Sequence, residues 1–503
     1  MGASVRDMHV RSLPERISTR LVPWDLAVSL QYSAFTMFIC RSTIVALGMV
    51  IALPVGNTLG QVLPDTVRVT LRSVLQRTLA VSPELGEARA GQAFAEARHS
   101  LARASRYLTE FSGSSVFSAV PGIDNPNGAA RDALYLDPAV RNDFDNLAPF
   151  GQAEVTLLQP LATWGQLGGS IRAAGHGVEV EAAAVRTREL AAALRVADLY
   201  YAVLLADDLY RLTDRAGDVV RRAMGEVDRL LAEGDPGVDD ADRYEVLMTE
   251  QEFNMRAREV AERRQTAYAA LRRQLREEGH IVPEISGLQA LPFVPEALDT
   301  YFEMALRFRP EVAQAQAGLA ARDALVRVAR SDYYPQFVFG ISASVGYASN
   351  RTRQPTPFVS DAFRRSSVRT GFGFQQKLNF SQTRARVAQA EAEREKVRHQ
   401  MEGARQLVLL EVEKAYRDVL VAQTALVAQD SSFAISKQWL RVEYINFDLD
   451  LGDTENLIKA VRANLDQEAR YYEAVWRYNS AVLRLLFHAG ILVDSIENGT
   501  LLE

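Results

Sequence analysis

The sequence predicts a mainly helical protein with membrane-type β-strands, a duplicated unit of long coiled-coil helices and one β-hairpin. Three observations carry this prediction. Segments recur in register, two runs alternate strictly with a period of two, and helical stretches run about seventy residues without proline.

The repeat comes first because it organises the rest. Leu71 to Gly91 reads LRSVLQRTLAVSPELGEARAG, and Leu298 to Gly318 reads LDTYFEMALRFRPEVAQAQAG. At one constant offset Leu71 pairs with Leu298, Leu79 with Leu306, Pro83 with Pro310, Glu84 with Glu311, Gly91 with Gly318 and Arg103 with Arg330. Later, Gln159 and Leu161 match Gln376 and Leu378, and Tyr200, Val203, Leu204 and Ala206 match Tyr416, Val419, Leu420 and Ala422. The offset drifts between these groups, as it must when one loop differs in length. The chain therefore divides into a leader (1–60), a first repeat (61–292), a second repeat (293–490) and a C-terminal tail (491–503).

Each copy reads alike. A helix starts at Ser-Pro-Glu or Arg-Pro-Glu, with proline in the first turn and an acid beside the helix dipole. It runs to about Tyr107 or Tyr334. Two strands follow around a Gly/Pro/Asn-rich loop, then a very long helix, a short acidic turn and another long helix.

The strands are the most informative part. In FVFGISASVGY, Phe337, Phe339, Ile341, Ala343, Val345 and Tyr347 share a face opposite Gly340, Ser342, Ser344 and Gly346. The partner strand is read from Gly371 to Phe380, with Phe372, Phe374, Leu378 and Phe380 apolar. Gln375, Lys377 and Asn379 take its polar side, and Gln376 interrupts the apolar one. Strands of about ten residues with one apolar and one small polar face suit a transmembrane barrel; a soluble sandwich hairpin uses the same alternation. The first copy is weaker: Phe111 to Val120 is serine-rich, and Gln152 to Leu161 alternates only in part. Two hairpins cannot close a barrel in hydrocarbon, where no edge stays unpaired. A membrane barrel would need several chains. The segments from Pro121 to Asn146 and Ser349 to Ser367 read as its longer outer loops.

No proline occurs between Leu161 and Asp235, nor after Pro357. About seventy residues at about 1.5 Å each make a rod near 100 Å. Val397, Met401, Ala404, Val408, Val412, Ala415, Val419, Ala422 and Leu426 form one apolar stripe, the signature of helix packing rather than of a cofactor cavity.

Ahead of the repeats, Thr43 to Leu53 reads TIVALGMVIAL behind Arg41. The run is too short to span a bilayer and fits the apolar part of a secretory signal, with a cleavage region at Thr58–Gly60. A buried helix or short anchor is the alternative, and Met37 is an alternative start. Cys40 precedes the run, badly placed for lipid attachment after cleavage. No other apolar run is long enough for a spanning helix, so membrane insertion would use strands.

Composition narrows the function. A net charge of −6 without a basic face argues against nucleic acid. One cysteine and six scattered histidines leave no disulfide framework, metal cluster or nucleophile set. No cofactor and no catalytic or metal site is expected, and the chain does not read as an enzyme.

The order helix, hairpin, long helix, turn, helix, repeated after a secretory signal, resembles the TolC-like outer-membrane efflux protein family. LAVSPELGEARAG, LRFRPEVAQAQAG, Tyr333-Tyr334-Pro335, QPLATWGQ and AVWRYNSAVLRLL with Gly490 carry the resemblance, which covers about Pro64 to Gly490. Leu108 stands where the second copy has Pro335, a departure at the entry to the first strand. The resemblance implies a homotrimer in outer-membrane lipid. Each chain would give four strands to a twelve-stranded barrel continued by a periplasmic α-barrel. It further implies a periplasmic adaptor, an inner-membrane pump and passive export of small molecules. Type I protein secretion is the alternative within the family; a periplasmic or surface structural coiled coil is the alternative outside it.

Two sets of residues are candidates for function. In the implied architecture the helix-joining turns form the periplasmic tip. The first turn holds Glu233, Asp235, Asp239 and Asp240; the second holds Asp448, Asp450, Asp453 and Glu455. Repeated around a trimer they would make an acidic mouth favouring cations, although acids at such turns also cap helices. Gln375, Lys377 and Asn379 are expected to line the barrel lumen.

Overall fold

The computed structural model describes residues 66–107, 110–124, 139–233, 240–353, 358, 360–449 and 454–499. The leader, with its signal and alternative start, lies outside them.

The two copies fold to the same plan. The first has helices α1 (Leu71–Val81) and α2 (Pro83–Ala104), strands β2 (Glu110–Asp124) and β3 (Arg141–Ala162), and long helices α3 (Gln166–Glu233) and α4 (Asp240–Leu275). The second has α5 (Leu298–Phe308), α6 (Pro310–Ser331), β5 (Gln336–Ala348), β6 (Arg365–Gln375), α7 (Phe380–Asp448) and α8 (Thr454–Ala489). A short strand β1 (Thr66–Val69) near the start of the first copy pairs in parallel with β4 (His280–Pro283) near its end. The helix α9 (Leu492–Glu497) closes the described chain.

Local chemistry sets the boundaries. Pro83 and Pro310 occupy the first turns of α2 and α6, where a missing N–H costs nothing, with Glu84 and Glu311 beside them and Arg103 and Arg330 in the last turns. α3 has 68 residues and α7 has 69, near 100 Å each. One hydrogen bond recurs in both copies. The Gln159 side-chain amide donates to the carbonyl of Arg106 (3.1 Å), and that of Gln376 donates to Tyr333 (3.2 Å). Both the donors and the acceptors are matched repeat positions, so duplication is visible in bonding as well as in sequence.

The main core lies where α1, α3, α4, α5, α7 and α8 meet. Val74, Leu75, Val196, Tyr200, Leu271, Val412, Val419, Val482 and Leu485 are fully enclosed there. The segment between the copies is strapped across this core. Asp208 accepts the Leu288 N–H (2.6 Å), Asn479 accepts from Leu291 N and donates to the Gln289 carbonyl, and the Tyr478 hydroxyl donates to the Phe293 carbonyl. Leu492 and Ile496 of α9 are buried against it.

The four long strands form one antiparallel sheet in the order β2-β3-β5-β6. Their limits correct the sequence-based ones. β2 and β3 run beyond Val120 and start before Gln152, because pairing continues from Gly122–Asp143 to Asp124–Arg141 past an irregularity at Pro121. The first outer loop is therefore shorter than Pro121–Asn146. β6 starts at Arg365 and ends at Gln375, so Gln376 to Asn379 are not strand and Phe380 opens α7.

Candidate functional site

The sheet has two chemically opposite faces. On one face Phe337 stands against Phe374 and Phe339 against Phe372, with ring centroids 6.3 and 5.0 Å apart. Phe111, Phe117, Val155, Leu157, Ile341, Val345, Val368 and Tyr347 continue this face by their register. It is uncovered: Phe117, Phe372 and Phe374 are 83%, 80% and 72% exposed. A contiguous aromatic surface of this kind marks contact with lipid or a partner. From Phe337 to Tyr347 is about 33 Å of strand, which a tilt of about 40° converts to a band about 25 Å tall, the height of an outer-membrane apolar band.

At the basal end Trp164 donates its indole N–H to the Pro335 carbonyl (2.6 Å) and lies 5.4 Å from the Tyr334 ring. With exposed Tyr107 they set amphipathic rings where strands give way to helices, as at a membrane–water boundary.

The opposite face is small and polar. Its cross-strand levels read Ser112, Thr156, Ser342, Arg369; then Ser114, Glu154, Ser344, Ser367; then Val116, Gln152, Gly346, Arg365. The Ser342 hydroxyl donates to Glu154 Oε1 (3.2 Å), and Ser344 and Ser367 share a hydrogen bond (2.9 Å). At the distal end a segment of the second hairpin's loop folds over this face. Val120, Phe150 and Ala348 pack there with Phe363. Arg351, almost wholly buried, faces Asp361 (3.7 Å), donates to the Pro121 carbonyl (2.8 Å) and stacks on Phe363.

The outer sides of β2 and β6 have no strand neighbour among the described residues. One helix face is likewise uncovered. Val421, Ala428, Ile435, Val442 and Leu449 recur every seventh residue along α7 and its end, all exposed. Leu420, Val421, Thr424, Ala425 and Ala428 line a shallow apolar groove on this helix. A seven-residue apolar spacing is the seam of a coiled coil.

Among the sequence-derived lumen residues, Gln375 ends β6 on the polar face. Lys377 lies beyond the strand and pairs with Asp332 (2.9 Å), joining the start of α7 to the end of α6. Asn379 also lies beyond it; its carbonyl accepts the N–H groups of Gln382 and Thr383 at the first turn of α7. Placing Lys377 and Asn379 in a strand is therefore corrected: the strand ends at Gln375, five residues before the end at Phe380 that alternation suggested.

At the tip, Glu233 ends α3 and pairs with Arg229 (2.7 Å), Asp240 opens α4, Asp448 ends α7, and Glu455 in the first turn of α8 pairs with Lys459. Asp235, Asp239, Asp450 and Asp453 lie outside the described residues. Sequence reasoning missed Glu154, Arg365 and Arg369 on the polar face. Their signal was present: Arg365, Ser367 and Arg369 alternate with Ser366, Val368 and Thr370 once the strand is started early enough.

Among the described residues no group of acids, histidines and cysteines could hold a metal ion, and no helix is long and apolar enough to cross a membrane.

Residues 302–448 match the family model for outer membrane efflux proteins. No curated protein matches the chain. Solved structures similar to it include a membrane protein from Pseudomonas aeruginosa, with TM-score 0.68 and 18% identity over 84% of this chain and 92% of that one. The outer membrane protein VceC of Vibrio cholerae gives TM-score 0.64 and 15% identity over 84% and 96%. The outer membrane channel MtrE of Neisseria gonorrhoeae, in its open state, gives 0.65 and 15% over 84% and 88%. The fold is that of TolC-like outer-membrane channels, and most of the second repeat carries the efflux-protein sequence pattern. The resemblance seen in the motifs is borne out.

Proposed function

We propose that three copies of this chain form the outer-membrane exit duct of a tripartite efflux system. The observation that carries this reading is the four-stranded sheet with two open edges, an uncovered aromatic face and a polar one. In hydrocarbon every strand edge must be paired. One chain cannot satisfy that rule, and three, each giving four strands, can. The aromatic face then meets outer-membrane lipid and the polar face lines water. The seven-residue seam on α7 supports the same assembly below the membrane, where α3, α4, α7 and α8 continue the duct through the periplasm.

Such a duct performs no chemistry. It lowers no reaction barrier; it supplies a polar path for small molecules handed on by an inner-membrane pump through a periplasmic adaptor. The helix-joining turns form the adaptor-facing end. There Glu233, Asp235, Asp239, Asp448, Asp450 and Asp453 make an acidic mouth that raises the local cation concentration. Neutralising Asp448, Asp450 and Asp453 together should then lower cation preference in bilayer conductance.

The assembly is tested by fractionation and labelling. A heat-modifiable trimer in the outer-membrane fraction is expected. A water-soluble thiol reagent should modify Ser344→Cys, on the polar face, far faster than Val345→Cys, on the aromatic face. A soluble monomer labelled equally at both positions would refute the reading in favour of a structural coiled coil.

A further inference from the structure

We propose that Arg365 and Arg369 make the strand-built part of the duct prefer anionic solutes. This rests on the reading above, in which the polar face lines a water-filled lumen. The two arginines are four residues apart on β6, so both side chains lie on the polar face, about 13 Å apart along the strand. Both are exposed, and neither has an ion partner among the described residues. Their neighbours in sequence and space are already committed elsewhere. Arg351 faces Asp361, and Arg364 donates to the carbonyls of Ala348 and Arg351 and stacks on Tyr347.

The carboxylate nearest in level is Glu154, one level from each arginine and two strands away, and it already accepts the Ser342 hydroxyl. Glu110 stands at the basal start of β2, opposite Leu158. Across the three levels from Arg369 to Arg365 each chain therefore presents two guanidiniums against one carboxylate. Ring closure does not cancel the excess. The edge that would meet β6 is β2 of the next copy. Between Glu110 and the irregularity at Pro121 the polar face of that strand carries Ser112, Ser114, Val116, Ser118 and Val120, with no acid. Three copies triple the excess. Hydroxyls can donate to a passing anion without adding charge, and a guanidinium fork fits carboxylate, phosphate or sulfonate oxygens. The solutes favoured are organic anions carrying such groups.

The test is a reversal potential for the full-length trimer in a planar bilayer across a tenfold KCl gradient. Replacing Arg365→Ser and Arg369→Ser together should raise the potassium-to-chloride permeability ratio roughly threefold near 0.1 M salt, as expected for removing a focusing charge. Glu154→Gln should move the ratio the other way. Arg369→Lys, which keeps the charge, should leave it unchanged. The effect should shrink at about 1 M salt, where the screening length is about 3 Å. Should the double variant fail to assemble, Arg365→Ser and Arg369→Ser are read singly, each with part of the shift. Channels of normal conductance whose ratio is unchanged by these substitutions would overturn the proposal while leaving the duct intact. Wild-type protein that forms no channel would instead overturn the duct reading, and this inference with it.

Discussion

The two copies meet the same structural problem at the joint between their first two helices and solve it with opposite charges. In the first copy Ser82 holds the N-cap position of α2, and Glu84 in its first turn accepts two hydrogen bonds from Arg195 of α3 (2.9 and 3.3 Å). Both partners are about half exposed. In the second copy the position matching Arg195 is Glu411, an acid facing the acid Glu311. Arg309, at the position of Ser82, separates them. Its side chain is 7% exposed, makes two hydrogen bonds to Glu311 (3.0 and 2.9 Å) and a third to Glu411, and lies 3.3 Å from His488. Backbone angles at the two caps are nearly the same, φ −64° and ψ 124° against φ −67° and ψ 124°. A backbone plan can thus persist through duplication while its electrostatics are rebuilt around it.

The far ends of α4 and α8 show the same pattern in backbone strain. Both helices close with paired hydrogen bonds, Arg276 N to Arg273 O and Glu277 N to Arg272 O in one, Gly490 N to Phe487 O and Ile491 N to Leu486 O in the other. Both closing residues are left-handed, Arg276 at φ 51° and Gly490 at φ 80°. Only the second is hemmed in. A Cβ on Gly490 would stand 2.9 Å from the Arg309 nitrogen and the Phe308 carbonyl carbon, which are backbone and cannot swing away. Gly490→Ala is therefore expected to have the largest effect, about 3–4 kcal/mol of destabilisation from strain and overlap together. The apparent melting temperature of the detergent-solubilised protein measures it. A variant melting with the wild type would mean that the joint yields easily, and the contrast between the copies would lose its physical basis.

Removing the bridging cation breaks the comparison from the other side. Arg309→Met leaves Glu311 and Glu411 facing each other and should cost about 2–3 kcal/mol, since both carboxylates are only partly shielded by water. The sharper form is a transplant. Arg309→Ser with Glu411→Arg recreates the first copy's arrangement, with Glu311 paired directly to α7. If the copies differ only in who carries the charge, the pair should recover at least half of the loss in the same melting experiment. No recovery would show that burial at the second joint specifically requires the arginine at the cap.

How far the fold was legible follows from what each feature needs. Pro83, Glu84, Pro310 and Glu311 announced their helices because capping chemistry is local. The Phe-rich alternation of β5 was legible because one face must be apolar throughout. β2 and β3 were read short, since Pro121 and Gly122 interrupt the alternation in one and the charged stretch from Arg141 to Asp145 hides it in the other. β6 was displaced because Phe372, Leu378 and Phe380 keep the same parity through a real helix start; only pairing to β5, a tertiary fact, ends the strand at Gln375. The family model matches 302–448, within the copy whose hairpin alternates clearly in sequence. The exposed seam on α7 was invisible beside the stripe from Val397 to Leu426, since a helix in a duct wall has apolar residues on more than one side. The ion network at Arg309 joins three segments distant in sequence, around 309–311, 411 and 488, and no local rule reaches it.

His488 gives the second joint a pH dependence that the first lacks. Burial, and then the charge of Arg309, hold its imidazole below its ordinary value near 6.5, against the opposing pull of Glu411 and Glu311. The folded chain therefore binds fewer protons than the unfolded one as pH falls below 6.5. The stability tied to neutral His488 is full above about pH 6.5 and is lost as pH falls through the depressed folded value. Glu311 is also held below its ordinary value: burial acts to raise it, but the hydrogen bonds and charge of Arg309 outweigh that. Its own loss begins only near pH 4.5, so the two windows separate. Melting temperatures between pH 7.5 and 5.0 should fall in the wild type and fall less in His488→Gln. Parallel curves would remove His488 from the account.

The smallest effect is expected where the first copy tolerates strain. Arg276 holds a left-handed conformation that costs an L-residue about 1 kcal/mol, and its surroundings do not force a glycine there. Arg276→Gly relieves that cost but gives the unfolded chain more freedom, so a net gain of about 0.5 kcal/mol is the expected balance. The direction is what matters. A glycine gained at 276 should stabilise the first copy slightly, and a glycine lost at 490 should destabilise the second strongly. If Arg276→Gly lowers the melting temperature, the arginine side chain contributes more at the first joint than its backbone costs. The two copies would then differ by what each has packed around the cap rather than by how much strain each can bear.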